Sequence, residues 1–102
     1  MLTEVVYNDC YGGFSISLAA LERMQELGFR GETYVANEKY VALYDCKRHD
    51  PTLAQTVKEL GFKADGDNAC LKIALVAGPY RIEEYDGLET VYEPGDYDWI
   101  TP

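Results

Sequence analysis

Asp86-Gly87 stands between two short runs, residues 80–85 and 88–93, and this pair constrains the fold more than any other two residues. A two-residue Asp-Gly connection favours a type I′ turn, whose twist matches that of two antiparallel strands. The spacing therefore predicts a hairpin in which Ile82 faces Val91 and Tyr85 faces Leu88. Glu84 then faces Glu89, a like-charge pair that costs a few tenths of a kcal/mol or more. Such a pair is expected on a wet face.

The rest of the chain divides into similar short units. Residues 3–8, "TEVVYN", form a β-branched and aromatic run and read as a strand, which Gly12-Gly13 ends. A helix follows, with Ser17 as N-cap and Ile16 and Leu21 as a hydrophobic staple. Leu18, Leu21, Met24 and Leu27 give it one apolar stripe. Gly28 fits the C′ position, from which Phe29 can fold back. A strand is expected at 39–45, while 29–38 has no clear pattern. Asp50 as N-cap and Pro51 at N1 start a second helix with Leu53, Val57 and Leu60 on its apolar face. Gly61-Phe62 repeats the Gly-Phe ending of the first helix. "ACLKIALVA", residues 69–77, reads as a sheet strand that Gly78-Pro79 stops. The order is β-α-β-α-β-β-β. The expected class is α+β, a small mixed sheet with two helices packed on one face and a C-terminal β-hairpin. A chain of 102 residues makes one such domain, residues 1–102.

Charge narrows the partners. The formal net charge is −9, and between Glu83 and Asp98 there are seven carboxylates with no Lys or Arg. This argues against binding a DNA or RNA polymer, which needs a basic face. It is compatible with a small anionic ligand, which a few local cations or a helix N-terminus can hold. The acidic 83–98 segment is either a solvated surface or the working face of an acidic protein-binding inhibitor or nucleic-acid mimic. No apolar run reaches the roughly 20 residues of a membrane span, and "MLTEVVYN" lacks the features of a signal peptide. A cytoplasmic protein without a membrane partner is expected.

Cys10, Cys46 and Cys70 are widely spaced, no CxxC is present, and His49 is the single histidine. This pattern predicts free thiols and no metal site. Asp50 adjoins His49 in sequence, which does not make a triad. The inventory names no catalytic residue and no cofactor. A binding protein fits it better than an enzyme such as a phosphodiesterase.

Two stretches could bind. "YNDCYGGFSIS", residues 7–17, puts a Gly pair between a strand and a helix. It reads either as a turn needing positive φ or as backbone N–H groups set for an anion. Tyr11 and Phe14 flank the pair and could each stack on a base; Ser15 completes the candidate group Tyr11, Gly12, Gly13, Phe14 and Ser15. In "CKRHDP", Lys47, Arg48 and His49 form a cation cluster before a helix start. They read either as surface charges or as an anion site. In the second case Arg48 supplies a fork for phosphate oxygens, His49 lies beside it, and replacing Arg48 leaves stability almost unchanged.

The blocks "VVYNDCYGGFSIS", "RHDPTLAQTVKELG", "LKI" and "YRIEEYDGLETV" resemble, in order, the motifs of a widespread family of small bacteriophage proteins, the sponge proteins of the fourth anti-CBASS type. The resemblance implies an α+β domain that sequesters a cyclic oligonucleotide defence signal, a cyclic dinucleotide, without cleaving it. It also implies a homo-oligomer, with a tetramer favoured. The chain departs from the pattern at 29–45 and in its tail. "EPGDYDWITP" is acidic and carries Trp99, where the family ending is basic and aromatic.

Overall fold

The structure is a computed structural model that describes residues 2–94. Trp99 and the part of the acidic 83–98 segment beyond residue 94 lie outside the described residues. Strand β1 is Thr3–Asn8, helix α1 Leu18–Glu26, β2 Thr33–Asn37, β3 Tyr40–Leu43, α2 Pro51–Leu60, β4 Leu71–Val76, β5 Arg81–Tyr85 and β6 Leu88–Tyr92. A 3-10 turn, Gly61–Ala64, follows α2 directly. The protein is α+β and ends its described part in a β-hairpin.

Local chemistry fixes the helix ends. The Ser17 hydroxyl accepts the Ala20 N–H, and the Asp50 carboxylate accepts the Thr52 N–H. Gly28, at φ 110°, ends α1. There the Phe29 N–H reaches the Met24 carbonyl at 2.9 Å and the Gly28 N–H reaches Gln25 at 3.1 Å. That double bond pattern is a Schellman ending, and it drives the Phe29 ring into the core. Gly61-Phe62 behaves differently. Phe62 is carried outward by the 3-10 turn and is 80% exposed.

The strands pair as three antiparallel two-stranded ladders, β1 with β4, β2 with β3 and β5 with β6, where one mixed sheet was expected. β2 is the strand that the sequence pattern leaves undefined. The hairpin has the expected register, Ile82 opposite Val91 and Tyr85 opposite Leu88. Its turn has φ 50° at Asp86 and 91° at Gly87, the two positive values of a type I′ turn. β1 does not continue into a wider sheet, because its second edge is taken by a carbonyl of the loop before α2 and by a side chain of β6 instead of a third strand's backbone ladder. The Val6 N–H donates to the Arg48 carbonyl at 2.8 Å, and the Asn8 N–H donates to the Glu89 carboxylate at 2.8 Å.

One core runs through the molecule. Val6, Ile16, Leu21, Met24, Phe29, Val41, Leu53, Val57 and Leu71 are buried together. α2 lies on β1 and β4, while α1 packs on α2, β3 and the 3-10 turn. The two helices thus form successive layers over the β1–β4 ladder. β1 touches α2 and β6 as well as β4, which explains why Val5 and Val6, on opposite faces, are both fully buried.

On the outer surface Arg23 of α1 grips Glu59 of α2 through two bonds of 2.7 and 3.2 Å, and Gln55 adds a third at 2.6 Å. The Arg23 hydrogen bond, then that of Gln55, holds the Glu59 carboxyl at about 2. A lowered carboxylate pKa stabilises the fold above the ordinary value near 4.5, and this contribution fades as pH falls towards about 2. We expect Arg23→Met to return the Glu59 titration, followed by side-chain NMR, towards the ordinary carboxylate range. An unmoved Glu59 titration in this variant would contradict the assignment.

Candidate functional site

The candidate residues surround the end of β1, and Asn8 organises it. Asn8 is fully buried. Its side-chain amide donates to the carbonyls of Cys10 and Gly87, each at 2.8 Å. Its side-chain oxygen accepts the Cys70 N–H at 2.8 Å. One side chain therefore ties together the loop after β1, the hairpin turn and the loop before β4. Sequence reasoning missed it; the available signal was an asparagine, a poor strand former, closing a β-branched run.

The Gly12-Gly13 loop is clamped between these neighbours. A Cβ on Gly12 would lie 1.7 Å from the Asn68 carbonyl oxygen, and one on Gly87 would lie 2.3 Å from the Tyr11 carbonyl oxygen. Gly13 has φ +89° and open space beyond it. The pair thus serves close backbone packing and a positive-φ turn. α1 begins only at Leu18, and two of its first three N–H groups already have partners. Leu18 donates to the Glu38 carbonyl at 2.9 Å and Ala20 to the Ser17 hydroxyl at 3.1 Å. The glycines do not sit at an open helix N-terminus.

The two candidate stretches meet at Arg48, but its fork is already filled. Arg48 Nη1 lies 2.6 Å from Glu89 Oε1, and Nη2 lies 2.8 Å from Oε2. The Arg48 guanidinium also covers the Phe14 ring, 3.5 Å from its centroid, a cation–π contact. Glu89 is 7% exposed and the Arg48 side chain 25%. This is a bidentate, largely buried ion pair, and its carboxylate also accepts the Asn8 N–H. Glu84 and Glu89 do face each other across the hairpin, yet the expected wet face is absent at Glu89. Arg48 neutralises it, while Glu84 turns to accept the Gly87 N–H at 2.5 Å.

The remaining candidates separate. Tyr11 is 64% exposed on the clamped loop. Ser15 is buried, its hydroxyl without a partner among the described residues, so it presents nothing to a ligand. His49 is exposed and turns away from Arg48's partner to the Tyr80 hydroxyl, 2.6 Å from Nδ1. It borders an open groove of about 340 Å³ that Thr3, Gly78 and Pro79 also line. Burial raises the Tyr80 phenol above its ordinary value, with Arg48 acting weakly against it.

Among the described residues, no group of three or more His, Cys, Asp or Glu side chains is placed to hold a metal ion. No helix there is long and apolar enough to cross a membrane. Comparison with protein-family models, curated proteins and solved structures finds no match for this chain.

Proposed function

We propose that the protein is a cytoplasmic, non-catalytic binding protein that captures a cyclic oligonucleotide, with a base stacked on Tyr11 and the ligand enclosed by a second subunit. One observation carries this reading: an aromatic ring that is 64% exposed projects from a backbone held on both sides by Asn68 and Gly87. A ring carried on backbone packed this closely loses little backbone freedom on stacking, so more of the contact energy remains for binding. The ligand class in this proposal comes from the resemblance of the sequence blocks to the phage sponge proteins.

The energetics call for more than one ring. Nanomolar capture requires about −12 kcal/mol, and stacking supplies roughly 1–3 kcal/mol per base. Arg48 is committed to Glu89, so phosphate contacts fall to other cations, with Lys47 and His49 exposed in the same turn. Enclosure by a partner subunit supplies the remaining burial. Tyr34, Val35, Tyr40 and Tyr44 lie exposed on and beside the β2–β3 hairpin, and tyrosine-rich surfaces are common at protein interfaces.

The test is calorimetry against a panel of cyclic dinucleotides and trinucleotides, with the bound material recovered after heat denaturation. The expected result is tight binding to at least one, returned intact, by an oligomer seen in light scattering. Tyr11→Ala is expected to weaken that binding tenfold or more while stability stays within about 0.5 kcal/mol. Hydrolysed products would make the protein an enzyme. Binding to none would overturn the proposal and return attention to exposed Glu83 and Glu84 as an inhibitor surface.

A further inference from the structure

Two of the three cysteines meet at the end of the β1–β4 ladder. The register pairs Asn8 with Leu71, and the next backbone bond runs from the Asp9 N–H to the Cys70 carbonyl at 2.8 Å. Cys10 follows immediately, and its thiol reaches the Asn8 side-chain oxygen at 3.5 Å, the same oxygen that accepts the Cys70 N–H at 2.8 Å. The Cys10 thiol also donates to the Asn68 carbonyl at 3.0 Å. Cys70 is exposed and Cys10 partly so, leaving the pair open to a small oxidant.

We infer that Cys10 and Cys70 are a reversible redox pair, closing to a disulfide by exchange with a low-molecular-weight disulfide of the glutathione class. One thiol loses its proton, attacks a sulfur of the small disulfide, and expels one small thiolate. The second cysteine, also deprotonated, attacks the protein sulfur of this mixed disulfide and expels the other. Two electrons pass to the small disulfide, which leaves as two thiols, and one S–S bond forms in the protein. The new bond joins the Tyr11–Gly13 loop covalently to the loop carrying Asn68, segments far apart in sequence. The inference rests on the strand geometry and not on the ligand proposed above.

The chemical environment sets the conditions. Hydrogen bonding of the Cys70 S–H to Cys10, then burial, raises the Cys70 thiol above its ordinary value; the charge on Cys10 and Asp65 adds to this and Lys72 opposes it. Less thiolate is present at neutral pH, so exchange accelerates in mildly alkaline solution. Cys46 is an internal control, because burial pushes its thiol up to about 12.

The experiment treats the reduced full chain with oxidised glutathione at mildly alkaline pH, then alkylates, unfolds and maps the peptides. The expected product has lost two hydrogen atoms, contains a Cys10–Cys70 cross-linked peptide, and keeps Cys46 as its free thiol. Its thermal midpoint is expected to rise by about 5 °C or more and to fall back on reduction. Cys46→Ser should form the same cross-link, and Cys70→Ser should instead retain glutathione on Cys10. A stable glutathione adduct on the unaltered chain, or a disulfide dimer between chains, would overturn the inference.

Discussion

Arg48→Ala is expected to destabilise the protein by about 3 kcal/mol, the lower part of the range for removing one partner of a buried ion pair. Glu89, at 7% exposure, would be left charged without its bidentate partner. The Asn8 N–H would remain its only hydrogen-bond donor among the described residues. The value lies low in the range because Arg48 is itself a quarter exposed, so water can enter part of the space. Lysine cannot present two parallel donors, and Arg48→Lys should recover only part of the loss. Glu89→Gln keeps an acceptor for Asn8 and leaves a cation that solvent can reach, so a smaller loss of about 1–2 kcal/mol is expected. Urea denaturation of the three variants is the measurement. An Arg48→Ala protein within about 0.5 kcal/mol of the parent, as an ordinary surface substitution would be, would refute the structural role. That small change is what the sequence alone suggests if Arg48 is an exposed phosphate ligand in "CKRHDP".

Gly12→Ala is expected to cost about 3 kcal/mol or more, because its methyl group would have to displace backbone. The added carbon would sit 1.7 Å from the Asn68 carbonyl oxygen. That segment is in turn fixed by the Cys10 thiol and by the Cys70 N–H bond to Asn8. Gly13→Ala meets open space and only a positive φ of 89°, a penalty of about 1–2 kcal/mol. Backbone angle alone would rank these two the other way. The ordering is read from chemical denaturation of both variants. If Gly12→Ala fails to fold while Gly13→Ala melts cooperatively, the ordering holds; a Gly13 variant less stable than the Gly12 variant would contradict it.

What was legible in the sequence was what neighbours within a few residues decide. The Ser17 and Asp50 caps, the Gly28–Phe29 helix ending and the Asp86-Gly87 register each depend on one turn of chain, and residue type reports them directly. The class of the fold followed from their order. Pairings between distant segments were not legible. Arg48 and Glu89 are ordinary surface residues by composition, and only the fold sets their side chains face to face. The same limit applies to Asn8, whose partners come from three loops. β2 escaped notice because all five of its residues stay partly or fully exposed, so no alternation of apolar and polar positions marks it. Of the candidate site, exposed Tyr11 could be anticipated from an aromatic beside a glycine pair. The committed fork of Arg48 and the buried Ser15 could not.

The bond from the Asn8 N–H to Glu89 joins residues 81 positions apart. During synthesis at about 5–20 residues per second, β1 exists for on the order of ten seconds before the carboxylate that closes its edge has been made. Arg48 arrives midway, and until Glu89 follows, its guanidinium has no fork to fill. Native assembly of this corner is therefore a late event, bound to completion of the final hairpin, and contacts so distant in the chain slow folding. A growing or stalled chain carries β1 with unpaired backbone groups, the kind of edge that recruits other strands. The ion pair that seals the finished molecule thus also defines its most vulnerable interval.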